Sequence, residues 1–330
     1  MATGSFPILF FAPARLSDAV MASGLISRLV DEVPGAAFTI VASAQSAPLF
    51  REVPGLDRII PHESESGLGA TFRLWRMLRK RRWGLIVDPA GGKMAAGLRA
   101  QRRATPAAGS AEPPHKVARA ARLLRLEDDP PAPRVFVSDE TRARAVELTT
   151  GAGPILAVAP GAGWVGAAWP IERFARLATR LLADDGPLAG GRLMMVGLPF
   201  ERRDIESLRR TTPRERWIDL TSETDPLLIA ACLEHARLYV GGAIAWTHLA
   251  AAAGAPTLGL YGPTDEFLEG PWGAHAFTVR GPRGFEAIRA ADPHLNQAIH
   301  HMLDLSVETV FEAAVALIER TRSGAEETHG

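Results

Sequence analysis

The chain has 330 residues, 47% hydrophobic and 22% charged, with 37 Lys and Arg against 37 Asp and Glu. This is the composition of a globular protein able to bury two cores of about 150 residues each. It argues against a disordered chain, a disulfide scaffold (Cys232 is the only cysteine) and a membrane span, since no apolar run nears the ~20 residues required. The zero net charge hides an asymmetry: residues 1–150 carry 21 basic and 15 acidic side chains, residues 151–330 carry 16 and 22. Between Thr71 and Leu126 there are 14 basic residues and two acids, Asp88 and Glu112. An acidic partner of the N-terminal half is expected. Nucleic acid is not, because no helix-turn-helix, zinc or RNA-motif signature accompanies the charge.

In chain order, Phe6 to Ala12 is an apolar run fit for a buried parallel strand, and a helix follows from about Ser17 to Val33. Ala37–Ala42 and Arg58–Pro61 read as strands, Leu68–Arg82 as a helix and Leu85–Val87 as a strand ending at Asp88-Pro89. Residues 104–114 form a loop of small residues and prolines, then a helix runs from His115 to Leu126. A second alternating set begins near Pro154. Its strands are expected at Ile155–Ala159, Leu193–Val196 and Trp217–Leu220, its helices at Ile171–Leu182, through Ile205 and Leu208, and at Pro226–Glu234. The segment Leu238 to Asp265 reads as strand, glycine turn, small-residue helix, strand and loop, and Val307–Glu319 is a last amphipathic helix. Such alternation implies two α/β domains with parallel sheets, residues 1–150 and 151–330.

Four stretches hold residues suited to chemistry. The first turn, Ala12 to Asp18, has no glycine, so a dinucleotide pyrophosphate cannot approach as in the NAD fingerprint. Asp18 would stand at the C-terminal edge of the first strand, or alternatively cap the helix with Ser17. Pro160-Gly161-Ala162-Gly163-Trp164 follows a strand and precedes Trp169-Pro170, with glycines that let backbone N–H groups approach a phosphate. In the third stretch, Gly241-Gly242, His248 and Gly262-Pro263-Thr264-Asp265 surround a helix N-terminus, where orphan N–H groups and the macrodipole favour an anion. The fourth, Phe72 to Trp83, joins aromatic anchors to Arg79, Lys80, Arg81 and Arg82; it suits either an interfacial helix on anionic lipid or a crossover helix burying Phe72, Trp75 and Leu78. No Asp-x-Asp pair or histidine cluster argues for a metal.

The run from Gly241 through His248-Leu249-Ala250-Ala251, Gly254, Pro256-Thr257 and Gly262-Pro263-Thr264-Asp265 resembles the donor-binding signature of glycosyltransferase family 9, the bacterial heptosyltransferases of the lipopolysaccharide core. Arg15-Leu16-Ser17-Asp18 is similar to the family's Arg-x-x-Gly-Asp, and Gly197 to Glu201 to its strand-end turn. The departures are Gly242-Ala243-Ile244-Ala245, where the family has Asn-Asp-Thr-Gly, and Ala167 or Ala168, where it has a lysine. The resemblance implies a GT-B fold, two Rossmann-like domains facing across a cleft, and an inverting transfer of a heptose or related sugar from an ADP-activated donor to a phosphorylated, lipid-linked core acceptor. It implies Asp18 as general base and Gly161, Ala162, Glu201, Gly241, Gly242, His248 and Gly262 to Asp265 as the donor wall. No cofactor beyond the nucleotide sugar is expected, and the cytoplasm is, with peripheral contact at the inner membrane through Arg79 to Arg82. Two alternatives stand beside it: a non-catalytic relative that keeps the fold and basic surface, and a GT-B enzyme using another nucleotide sugar.

Overall fold

Eleven strands and twelve α-helices account for the described residues of the computed structural model, which are 5–63, 67–106, 115–197, 205–295 and 299–327. The chain divides into two compact units, Met1–Ser138 and Asp139–Gly330. Both are α/β units with wholly parallel sheets, the GT-B fold class.

In the first unit β1 (Phe6–Phe11), α1 (Leu16–Glu32), β2 (Ala36–Ala42), β3 (Leu56–Pro61), α2 (Leu68–Leu78), β4 (Trp83–Val87), α3 (Lys93–Ala96), β5 (Ala100–Ala104) and α4 (Lys116–Arg122) follow in turn. The sheet order is β3-β2-β1-β4-β5. Ile8, Leu9 and Phe10 of β1 are fully buried because a central parallel strand is covered on both faces, which explains its unbroken apolar run. The sheet reverses its winding between β1 and β4, and open α/β sheets bind ligands beyond the strand ends at such a switch.

The second unit comprises α5 (Asp139–Thr149), β6 (Ile155–Ala159), α6 (Ile171–Leu182), β7 (Arg192–Val196), α7 (Glu206–Arg209), β8 (Trp217–Leu220), α8 (Pro226–Leu233), β9 (Leu238–Gly242), α9 (Ala245–Ala252), β10 (Thr257–Tyr261), α10 (Glu266–Glu269), β11 (Ala276–Arg280), α11 (Phe285–Ala291) and α12 (Val307–Glu327). Its order is β11-β10-β9-β6-β7-β8, so the switch lies between β6 and β9. Phe174, Leu177, Ala178 and Leu181 of α6 are buried, the face expected from their 3–4 spacing. Asp225 caps α8 by accepting from Leu227 N at 3.1 Å, with Pro226 in the first turn. Cys232 lies fully buried in α8, where burial pushes its thiol up to about 12.

Four features depart from the sequence expectation. The expected boundary after residue 150 moves to 138/139, because α5 packs on α8 and ties Arg142 to Glu234 at 3.3 Å. Helix α2 stops at Leu78, leaving Arg79–Arg82 in the turn before β4. The crossover reading of α2 also needs correction, since Leu74 and Leu78 bury while Phe72 is 58% exposed. Finally, β5 and β11 were not foreseen. Among the described residues no helix is long and apolar enough to cross a membrane.

Candidate active site

The turn after β1 is drawn against β2 by Ala12 N donating to Val41 O at 2.8 Å and Ser43 Oγ donating to Ala14 O at 2.6 Å. Arg15 then occupies the N-cap of α1, and no side chain makes the cap hydrogen bond. Asp18 is therefore not a cap. Its Oδ2 accepts from Arg15 Nε at 2.9 Å and its Oδ1 from Lys116 Nζ of α4 at 2.8 Å. Burial raises the Asp18 carboxyl, but the bonds and charges of Lys116 and Arg15 outweigh it and hold the group below its usual range.

Asp18 faces a cavity of about 620 Å³ at the β1/β4 switch, walled by Pro13 and Met21 on one side and Pro89 and Ala90 on the other. The wall after β4 is shaped by Asp88, 3% exposed, which accepts from Ala90 N at 3.1 Å and Gly92 N at 2.7 Å. Burial pushes the Asp88 carboxyl up, and these backbone donors only partly reverse it. Arg119, Arg122 and Arg125 complete a strongly cationic lining. Neither Lys116 nor Asp88 was singled out from sequence. Lys116 lies 98 positions from Asp18, and only the packing of α4 on α1 joins them.

In the second unit the expected donor residues gather at the C-terminal ends of β6, β9 and β10. Gly161 and Ala162 follow β6 and are half-buried, and a side chain at Gly242 would approach Gly161 O at 3.5 Å. The loop after β6 is anchored from behind. His301 N donates to Gly166 O at 3.0 Å, Trp169 Nε1 donates to Leu305 O at 2.9 Å, and a methyl on Gly166 would meet Ile299 O at 2.6 Å. The turn between β9 and α9 is held by Thr247, whose Oγ1 donates to Gly242 O and lies 3.1 Å from Tyr239 Oη.

Some expected contacts are displaced inward. His248 is 4% exposed rather than open to a ligand, and Gly241, Gly242, Gly262 and Pro263 are buried. Gly241 makes room for its own strand, since a side chain there would strike Tyr239 Oη at 2.4 Å. Thr264 and Asp265 remain half-exposed, with Asp265 Oδ1 accepting from Phe267 N at 2.9 Å as the N-cap of α10. Glu201 lies outside the described residues. Arg280 of β11, which sequence reasoning missed, steadies the whole loop. Its guanidinium donates to Gly262 O at 3.1 Å and Thr264 O at 2.9 Å while pairing with Glu266.

A model described as "Glycosyltransferase family 9 (heptosyltransferase)" matches residues 73–295, more than half of the chain. The chain belongs to glycosyltransferase family 9. It is 23% identical to lipooligosaccharide heptosyltransferase 2 of Haemophilus influenzae, covering 95% of this chain and 99% of the relative. Among solved structures, the family 9 transferase of Veillonella parvula superposes with a TM-score of 0.79 at 17% identity, covering 97% of this chain and 99% of that one. ADP-heptose lipopolysaccharide heptosyltransferase II of Escherichia coli superposes at 0.74 and 20% identity, covering 96% and 100%. The family 9 chain described here is thus a glycosyltransferase with the GT-B fold of its relatives.

Proposed function

We propose that the protein transfers a heptose or related sugar, with inversion, from an ADP-activated donor to a phosphorylated, lipid-linked saccharide of lipopolysaccharide-core type. The observation that carries this reading is the placement of Asp18 in a cation-lined cavity at the β1/β4 switch. The acceptor hydroxyl would give its proton to the Asp18 carboxylate as its oxygen bonds to the anomeric carbon; the bond to the nucleoside diphosphate breaks, and the diphosphate leaves with the electron pair. The second unit would hold the nucleotide at Gly161-Ala162, the β9–α9 turn and Thr264-Asp265, with the backbone N–H groups of the helix end receiving the diphosphate. Named use of ADP-heptose by the Escherichia coli relative supports the choice of nucleotide. Arg79, Lys80, Arg81 and Arg82 would hold the enzyme on the anionic cytoplasmic face of the inner membrane.

Asp18→Asn keeps the shape and removes the base, so kcat should fall by roughly 10²–10⁴ while donor binding persists. Unchanged turnover on a phosphorylated core acceptor would sink the assignment. The turn Gly242–Ala245 has no carboxylate or hydroxyl for a sugar, which favours one second reading: the same fold and base with another nucleotide sugar.

A further inference from the structure

The loop after β6 has little of its own to hold it. Gly161 to Ala168 carry no charged side chain, Gly163 is exposed and Val165 is 53% exposed. Such a loop could meet a diphosphate only through backbone N–H groups, and a glycine-rich backbone loses much entropy when it is held in place. Its order must come from outside the loop.

One residue supplies that order, gripping Gly166 from two sides. The backbone N–H of His301 donates to Gly166 O at 3.0 Å. The His301 ring stands edge-on to Trp164, centroids 5.8 Å apart and planes at 70°, and the Trp164 ring lies over Gly166, leaving no room there for a side chain. Asp292 Oδ2, 3.1 Å from His301 Nε2, fixes the plane of the imidazole. The ring is 2% exposed, and its Nδ1 has no hydrogen-bond partner among the described residues. A buried nitrogen left unpaired disfavours folding, so an apolar ring would serve the core better. The use of an imidazole here lies in its bond to Asp292.

The same residue leads to the other donor loop. His301 O accepts from Arg283 Nη2 at 3.3 Å, and Arg283 O accepts from Arg280 Nη1 at 3.3 Å. Arg280 donates in turn to Gly262 O at 3.1 Å and Thr264 O at 2.9 Å. Met302 reinforces the path, its Sδ filling the space that Gly262 leaves without a side chain. A relay of hydrogen bonds therefore runs from Gly166 to Thr264.

We propose that His301 is a positioning residue for the donor, and that the relay through Arg283 and Arg280 makes the loops after β6 and β10 one body shaped to receive the diphosphate. The inference rests on the reading of the second unit as the nucleotide holder. Order fixed before binding is order that the ligand does not have to impose, so affinity rises without any contact from His301 itself. Breaking the relay at either end loosens both loops.

The test uses the full chain with ADP as the probe and two readouts, amide hydrogen exchange without ligand and ADP affinity by calorimetry. His301→Gln keeps a donor for Asp292 but removes the ring beside Trp164. Trp164→Ala removes the partner ring from a half-buried site and should keep Tm near the parent's. Each should speed exchange in both 161–166 and 262–265 and weaken ADP roughly ten-fold, as for a loop that must order on binding. Arg280→Met, at the far end, should speed exchange at 161–166 as well. Combined with Trp164→Ala it should weaken ADP by less than the product of the two single losses, because a relay already broken cannot be broken again. Faster exchange confined to the mutated loop would overturn the relay, as would losses of ADP affinity that simply multiply. Unaltered ADP affinity in both His301→Gln and Trp164→Ala would overturn the positioning role. A parent that binds no ADP yet shows coupled exchange would uphold the relay and fell the nucleotide reading on which the positioning role rests.

Discussion

A carboxylate that is to take a proton must stay charged at neutral pH, and Asp18 does so through Lys116 and Arg15. Because those cations win over burial, the folded carboxyl titrates below its ordinary value of 3.8. For a group depressed on folding, the stabilisation is complete above the unfolded pKa and is lost as pH falls through the folded one. Asp18→Asn should therefore lower the unfolding free energy measured in urea at pH 7 by an amount on the order of 1 kcal/mol, given that the side chain stays 23% exposed. The difference should close as pH falls below 4. Parallel midpoints at every pH would mean that the two ion pairs add nothing to stability. Asp88 shows the opposite balance a few residues from the same cavity: buried and met only by backbone N–H groups, it is raised and serves the turn Pro89 to Gly92.

At the scale of elements, the informative cases are the edge strands and α2. Central strands were legible because burial on both faces makes them unbroken apolar runs, as in β1, β6 and β10. The edge strands β5 (AQRRA) and β11 (AFTVR) carry charges that edges tolerate, so they lack that signal. With β11 went Arg280, the clamp on the Gly262–Asp265 loop, and nothing in its local sequence marks it. Arg280→Met should leave Glu266, 15% exposed, without its partner and cost about 2–4 kcal/mol. Adding Glu266→Leu should recover most of that stability but not ADP affinity, because the loop carbonyls stay unheld; full recovery of both by calorimetry would make Arg280 purely structural. Helix α2 was legible in its existence but not in its end at Leu78 or in which apolar residues it buries. With Leu68 90%, Phe72 58% and Met77 41% exposed beside Arg73 and Arg76, it has the makings of an interfacial helix. Arg81 is partly engaged with Asp57 at 2.8 Å, and Arg79 lies over the Trp75 ring at 4.4 Å. Neutralising Arg79, Lys80, Arg81 and Arg82 together should weaken sedimentation with phosphatidylglycerol vesicles, and so should raising salt. Phe72→Ser should weaken what remains at high salt. Binding indifferent to all three changes would remove α2 from the membrane.

For the whole molecule, a formal net charge of zero means that neither vesicles nor nucleotide are drawn by overall charge, and any affinity must come from local geometry. The nucleotide belongs, on this reading, to the second unit alone, where the ends of β6, β9 and β10 converge. At the β9–α9 turn Gly242 to Ala245 offer a sugar neither carboxylate nor hydroxyl, and Thr247 spends its own hydroxyl on Gly242 O. The backbone groups that would meet the diphosphate do not depend on those side chains. ADP and ADP-heptose should consequently bind with similar affinity. A ligand at 100 times its Kd stabilises the fold it binds by about 2.7 kcal/mol. In a chain of two compact units, each with its own core, that gain should move the transition of the second unit and leave the first where it was. Differential scanning calorimetry with ADP, ADP-heptose, UDP-glucose and GDP-mannose tests both statements at once. Equal shifts for the two adenine ligands, with none for the others, is the expected result. A larger shift with a UDP- or GDP-sugar would replace the donor. A marked preference for ADP-heptose over ADP would return sugar reading to another side chain, and Trp164, half-buried beside Gly161 and Ala162, is better placed for it than Trp246, which is 7% exposed. No shift with any nucleotide at millimolar concentration would remove the nucleotide from the second unit, and with it the proposed donor.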